Sequence, residues 1–383
     1  MHKQKRFIIM TPAESVDVIA SEKKSLQKIF NHDILSCTNE GVSGNHLYSG
    51  RALGLTEPTD IIQIHPFLKR EWDEITAHYH RIKLRFSTNV IWDVSLERLD
   101  EYPGVDESVF FFGPNENKVR FDHKRFRVVE YINNKNNFTA LASQLRLDIV
   151  PTQCFHGKQW FAGIEYFDFP CYVKAAVSVA GKGIFRCETP EEVIKALSYF
   201  DEDVPLQVQN EIKTDVFLNM QYEATDTELK RFLVSEQILD GFTHQGNQYP
   251  AQEEPWESVQ PMAEWLWKKG MRGIFAFDVG IVKEEGKETR YIPIECNPRF
   301  NGASYPSGIA TRLDMTNWVA KEIETQFRTL KEIDLTGIEY NPVTRTGIII
   351  VNWGTILAGK IGVLISGLKF EQEELEAELR ARL

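Results

Sequence analysis

The feature that most limits how this chain can fold is a pair of apolar stretches joined by a charged turn. Gly273–Val282 and Arg290–Asn297 flank the turn at residues 283–287, a pattern that predicts a β-hairpin. Successive side chains of a strand point to opposite faces. Phe275 and Phe277 therefore share one face, while Ala276, Asp278 and Gly280 share the other. On the partner strand Ile292, Ile294 and Cys296 face one way, and Glu295 with Asn297 the other. Antiparallel pairing can then bring Asp278 against Glu295 and Asn297. Two carboxylates and an amide oxygen on an apolar hairpin make an all-oxygen site suited to a hard cation such as Mg2+, with Mn2+ as a second choice. Without a cation the carboxylates would repel and one would take up a proton. The same alternation also suits a wet sheet face, with Asn297-Pro298-Arg299 as a plain turn.

A second feature is Lys174, set among apolar residues in Cys171-Tyr172-Val173-Lys174-Ala175-Ala176. Burying a lysine is costly unless an anion meets it. The loop at residues 178–183 follows, and Gly181 and Gly183 around Lys182 can turn successive backbone N–H groups toward a phosphate. Two plainer readings stand beside these: an edge-strand charge for Lys174 and an ordinary hairpin turn for the loop.

Composition removes several classes of function. The 383 residues are 42% hydrophobic and carry a net charge of −11 with no Lys/Arg block, so nucleic acid is not an expected partner. The five cysteines (Cys37, Cys154, Cys171, Cys187, Cys296) form no CxxC pair, which reads as reduced thiols in a cytoplasmic protein. The apolar run at residues 7–10 is too short for a secretory signal. Residues 347–368 are mostly apolar, but Asn352, Lys360 and four glycines split them into two strands around a turn, which argues against a membrane span. No G-x-S-x-G elbow, GxxxxGK[ST] loop, GxGxxG or H-E-x-x-H occurs. His78-x-His80 reads as a surface pair on a helix.

Along the chain, short apolar runs at residues 7–10, 61–64 and 109–112 alternate with helix-like segments at 21–30 and 67–79. This predicts a parallel sheet covered by helices over about residues 1–116. A helix is expected over 126–147. Strands follow at 172–177 and 184–187, then a helix starting at Thr189-Pro190-Glu191-Glu192, with Thr as cap and Pro at its first position. Further strands are expected at 204–212, 216–223 and 231–240. An amphipathic helix over 256–269 stops at Gly270, a long helix covers 311–333, and a terminal helix covers 372–383. Residues 240–255 read as a loop, whose polar part at 241–247 is either a mobile cover or a plain surface loop.

Taken together, Lys135, Lys174 with its glycine loop, the connector Gln209-Asn210-Glu211-Ile212, Asp278, and Glu295-Cys296-Asn297-Pro298-Arg299 follow the order found in ATP-grasp ligases. Lys135 lies 16 residues before Pro151, also as in that family, and the chain resembles it over residues 119–333. The resemblance implies an α/β fold: an N-terminal Rossmann-like domain (1–118), then a two-lobed ATP-grasp. Its small lobe would span 119–205 and its large lobe 206–335, completed by 336–383. It implies that Lys135 and Lys174 grip ATP phosphates with the loop Gly181-Lys182-Gly183, with Lys124 as a substitute for Lys135. Gln209, Glu211 and Ile212 would meet adenine, and Asp215 the ribose. Asp278, Glu295 and Asn297 would hold magnesium, and Arg299, catalytic with Lys174, would act near the transferred phosphate or the substrate carboxylate. The implied reaction is ATP-dependent joining of a small carboxylate to an amine of an amino acid or peptide, through an acyl phosphate, releasing ADP and phosphate. A phosphotransferase, another carboxylate-activating enzyme and a nucleotide binder without turnover remain alternatives. Substrate choice is expected at the N-terminal domain, residues 240–255, Asn301-Gly302-Ala303-Ser304-Tyr305-Pro306 and Arg312.

Overall fold

The computed structural model describes residues 27–38, 44–161, 168–177, 183–214, 216–241 and 243–383. The expected strand at residues 7–10, Gly181, Lys182 and Asp215 lie outside the described residues.

The first sheet is parallel. Its strands β1 (Lys28–Asn31), β2 (Ile61–Gln63), β3 (Val90–Ile91) and β4 (Asp106–Val109) run in the order β3-β2-β1-β4. A helix, α1 (Trp72–Arg81), follows β2. The predicted parallel sheet is therefore present, but two of its details differ. Residues 28–30 are strand and not helix, because Ile29 and Phe30 are buried between two parallel neighbours. The strand expected at 109–112 ends at Val109; the chain then leaves the sheet and Phe111 bridges to Arg299.

Three helices lead onward: α2 (Pro114–Arg120), α3 (His123–Asn133) and α4 (Lys135–Gln144). The single helix expected over 126–147 is broken at Asn134, whose side chain accepts from the N–H groups of Asn136 and Asn137 and so starts a new helix. The second sheet is antiparallel and holds β5 (Thr152–Phe155), β6 (Cys171–Ala175), β7 (Ile184–Cys187) and β8 (Leu206–Asn210) in the order β5-β8-β6-β7. Helix α5 (Pro190–Ser198) covers one face of it, and Thr189 caps that helix by accepting from Glu192 N–H at 3.3 Å.

The third sheet has eight strands: β9 (Phe217–Ala224), β10 (Leu229–Asp240), β11 (Thr243–Tyr249), β12 (Gly273–Val282), β13 (Arg290–Asn297), β14 (Trp318–Glu324), β15 (Gly347–Asn352) and β16 (Lys360–Ser366). Their order is β13-β12-β9-β10-β11-β14-β16-β15. Three helices join it: α6 (Gln260–Lys269), α7 (Ser304–Arg312) and α8 (Lys369–Arg382). Gly270 ends α6 in the left-handed conformation, φ +112°. Phe275, Phe277 and Tyr222 bury one face of the sheet against α3, α4 and α6.

Two expectations fail here. The long helix over 311–333 is instead the end of α7, the strand β14 and a short 3-10 turn. Residues 243–249, expected in a loop, form β11, which pairs with β10 on one side and β14 on the other. His78 is also no surface residue: it is 2% exposed, Nδ1 donates to Glu339 and Nε2 accepts from Ile350 N–H at 3.1 Å. Among the described residues no two cysteines form a disulfide, and Cys154 is exposed. Among the described residues no helix is long and apolar enough to cross a membrane.

Candidate functional site

The β12–β13 pairing sets Asp278 directly opposite Glu295 and Ala276 opposite Asn297, with a bulge just beyond Asp278. The three oxygen-bearing side chains that the alternation placed on one face are brought together. Asp278 is held by amides from three different strands. Its Oδ1 accepts from Asn219 Nδ2 at 2.9 Å and from Gln237 Nε2 at 2.7 Å. Its Oδ2 accepts from Asn297 Nδ2 at 2.9 Å, which leaves the Asn297 oxygen free to face a cation. Burial and the neighbouring Glu295 push the Asp278 carboxyl up from its ordinary range, against the pull of Asn219 and Asn297. Burial acts on Glu295 in the same sense, but Lys135 and Lys174 outweigh it and hold that carboxyl down. Lys135 Nζ stands 3.0 Å from Glu295 Oε2. Among the described residues no three His, Cys, Asp or Glu side chains gather to hold a metal. The donor set is two carboxylates and an amide oxygen, a hard all-oxygen set that would suit Mg2+. Their mutual repulsion is what a dication would relieve.

The second sheet turns a polar face to this hairpin. Thr152, Gln209 and Tyr172 pair across it, as do Gln207 and Lys174. Lys174 is buried and donates to Gln209 Oε1 at 2.7 Å, and Gln209 Nε2 donates to Thr152 Oγ1 at 2.9 Å. Burial brings the Lys174 ammonium down to about 8; Glu295 opposes this and Lys135 adds to it. Glu211 accepts from Tyr172 Oη at 2.6 Å and from Arg186 Nε at 2.6 Å, and Arg186 chiefly holds that carboxyl low. Ile212 packs with Val150, Val282, Ile292 and Ile294, a small apolar cluster between the two sheets.

No protein-family model matches the chain, and no curated protein matches it by sequence. Solved structures do resemble it. An N5-carboxyaminoimidazole ribonucleotide synthetase from Thermus thermophilus is 15% identical with a TM-score of 0.57, over 94% of this chain and 98% of that one. The Staphylococcus aureus N5-carboxyaminoimidazole synthetase complexed with ADP is 11% identical with a TM-score of 0.53, over 77% of this chain and 86% of that one. An Aspergillus clavatus carboxyaminoimidazole ribonucleotide synthase complexed with ATP gives 12% identity and a TM-score of 0.50, over 94% and 97%. The chain has the ATP-grasp fold.

Within that ATP-grasp arrangement the remaining candidates divide. Lys135 opens α4 and reaches the hairpin, whereas the stem of Lys124 lies against Gly270, where an added Cβ would sit 2.8 Å from its Cγ. Gln209 and Glu211 spend their side chains on Lys174, Arg186 and Tyr172, which leaves Ile212 as the member of the connector with an apolar surface to offer. Gly183 has φ +76° and forms the turn into β7. Arg299 is close enough to Glu295 to help hold its carboxyl low. The segment 301–306 is a helix start: Asn301 Oδ1 accepts from Ala303 and Ser304 N–H, and its Nδ2 reaches Asn219 at 3.4 Å. The Arg312 guanidinium donates to the carbonyls of Gly54 and Thr56 and ties α7 to the 3-10 segment that precedes β2. Asn219, Gln237, Thr152, Tyr172 and Arg186 escaped the sequence reading. For Asn219 and Gln221 a signal existed, because they alternate with Leu218, Met220 and Tyr222.

Proposed function

We propose that the protein is an ATP-dependent, ADP-forming carboxylate–amine ligase. The observation that carries this is the pair Asp278 and Glu295 meeting Lys135 and Lys174 across the gap between two sheets. Such an arrangement suits a metal-chelated polyphosphate and direct phosphoryl transfer to a bound carboxylate.

On this reading Lys135 and Lys174 hold the phosphates, and the polyanion keeps Lys174 protonated despite its burial. Asp278, Glu295 and Asn297 hold Mg2+, which neutralises phosphate charge when bound. Ile212 and its apolar neighbours receive the adenine. The substrate carboxylate attacks the terminal phosphorus, ADP leaves, and an amine displaces phosphate from the acyl phosphate to give an amide. Arg299 stabilises the charge on the transferred group. The names of the three similar structures described above, each a carboxyaminoimidazole synthetase or synthase, favour a second form of the same chemistry in which bicarbonate is the carboxylate and an amine is carboxylated.

The test is ADP release from Mg·ATP against pooled amino acids, small carboxylic acids and, separately, bicarbonate with amines, with products read by mass spectrometry. A product equal to two substrates less one water supports amide ligation. An amine heavier by a carboxyl group supports the bicarbonate form. A phosphorylated product without condensation overturns ligation in favour of phosphotransfer. Mg·ATP binding with no ADP release across all pools overturns turnover of these classes.

A further inference from the structure

We propose that the junction between the parallel sheet and the eight-stranded sheet holds a second ligand site, built around Arg125, for a small organic anion. A cavity of about 190 Å3 lies there, lined by Lys28, Phe30, Glu107, Phe112, Arg125 and Arg272 among others. It goes beyond the ligase reading, since nothing in it requires a nucleotide.

The charges at this junction do not balance. Arg125 is 8% exposed, and its Nη1 donates to Glu107 Oε1 at 2.7 Å. Arg120, 14% exposed, stands with Nε 3.6 Å from the other oxygen of the same carboxylate. Glu107 thus stands against two nearly buried guanidiniums, with Asp122 as a second acid acting on Arg125. Arg125 Nε, Arg120 Nε and Arg120 Nη2 are buried without a hydrogen-bond partner among the described residues. Arg272 adds a third guanidinium, and its own carboxylate, Asp226, is out in solvent. Lys28 and Arg299 add two more cations to the wall, against Glu107 and Glu223 as its acids.

An unpartnered guanidinium nitrogen is expensive to bury; Arg125 Nε belongs to a residue of the cavity wall, which Arg120 does not line, and an anion there can answer it directly. The Arg125 guanidinium lies over the Phe112 ring at 4.3 Å, which fixes its plane. Gly273, at φ +83°, forms the wall beside Arg125, where a Cβ would lie 3.5 Å from Nη2, in ordinary contact. The apolar part of the wall, Phe30 with Phe112, suits a compact hydrocarbon body behind the anionic group. The ligand is therefore a small carboxylate or phosphate ester with an apolar portion. Arg299 lines this cavity and also acts on Glu295, so the two sites share a residue.

The test is thermal denaturation of the full chain carrying Lys174→Met, which removes one of the two lysines assigned to the nucleotide phosphates; dependence on Arg125 and Arg272 then separates this site from the nucleotide site whether or not the ligase reading holds. Inorganic phosphate, acetate and benzoate are each titrated at constant ionic strength against chloride. A saturable rise in Tm of a few degrees is expected with phosphate or with a carboxylate. Phosphate alone would mark a phosphate ester, and benzoate above acetate a carboxylate with an apolar body. The rise should vanish with Arg125→Lys and weaken at least tenfold in midpoint with Arg272→Gln, at a partly exposed residue whose Nη1 also donates to the carbonyls of Trp267 and Met271. A rise that is only linear in concentration is general salt stabilisation and overturns the proposal, as does a saturable rise that survives both substitutions.

Discussion

Lys174→Met isolates the energetic cost of the lysine that the site buries. The substitution keeps the length of the side chain and removes the charge. In the unliganded protein, burial lowers the Lys174 ammonium from 10.5 to about 8. Each pH unit corresponds to about 1.4 kcal/mol, so the protonated lysine costs the folded state on the order of 3 kcal/mol. The sign follows from linkage. Below pH 8 both folded and unfolded chains carry the proton and the full penalty is present. Between pH 8 and 10.5 the folded chain releases the proton while the unfolded chain keeps it, so stability rises with pH. Subtracting the unfolding free energy of Lys174→Met from that of wild type cancels the other titrations. The difference should climb by about 3 kcal/mol across that interval, measured by urea unfolding. Saturating Mg·ADP should abolish the climb, because a phosphate beside the amine keeps it protonated. A flat difference without ligand would refute the burial argument, and a climb unchanged by Mg·ADP would refute phosphate contact by Lys174.

Glu295→Gln and Asn297→Ala should each lower turnover by on the order of 100-fold or more while circular dichroism stays that of wild type, since they remove cation ligands and not core volume; near-wild-type turnover in either would falsify the metal assignment. The His78–Glu339 pair makes stability fall with acid. Burial keeps His78 low and neutral, whereas His78 and Arg81 overcome burial and bring Glu339 down to about 2. Protonating the unfolded histidine below pH 6.5, and then the unfolded glutamate below about 4.5, draws the equilibrium toward the unfolded chain, so the urea midpoint should drop steadily from pH 7 to 4 and the margin over Glu339→Gln should narrow only below about pH 5. Gly50→Ala should cost about 1–3 kcal/mol in the same assay, because its Cβ would lie 2.4 Å from Cζ2 of the buried Trp353 ring; a midpoint within error of wild type would show that the ring can move.

What the sequence disclosed follows the range over which each element is determined. The β12–β13 hairpin, β7 and the start of α5 are set by neighbouring residues, and their predicted limits match. Residues 318–324 contain Lys321-Glu322-Ile323-Glu324, which reads as helix locally, yet their partners are Gly246–Tyr249 and Lys360–Ser366, far away in the chain. The ladder bonds offered by those distant strands override local preference. The site divides in the same way. Asp278, Glu295 and Asn297 share one hairpin, so strand alternation could group them. The amides of Asn219 and Gln237, which hold Asp278, come from β9 and β10, and nothing local ties those polar positions to a carboxylate dozens of residues on. His78 shows the opposite failure: its spacing from His80 resembles a surface pair, but its burial depends on Ile350 and Glu339, supplied by the far end of the chain.

The site's charges explain why nucleotide and cation would enter together on the proposed reading. Alone, the hairpin sets two carboxylates side by side, and burial with repulsion moves Asp278 toward its neutral form. Alone, the facing sheet holds a buried lysine that burial moves toward neutrality as well. Each half is stabilised partly by the other, through Lys135 and Lys174 acting on Glu295. A cation by itself would relieve the carboxylates but repel both lysines. A polyphosphate by itself would satisfy the lysines but meet Glu295. Only the chelate answers both halves, giving the dication to the hairpin and the phosphate oxygens to the lysines. On the proposed reading, selectivity for the metal-bound nucleotide over free nucleotide would follow from the two facing sheets themselves.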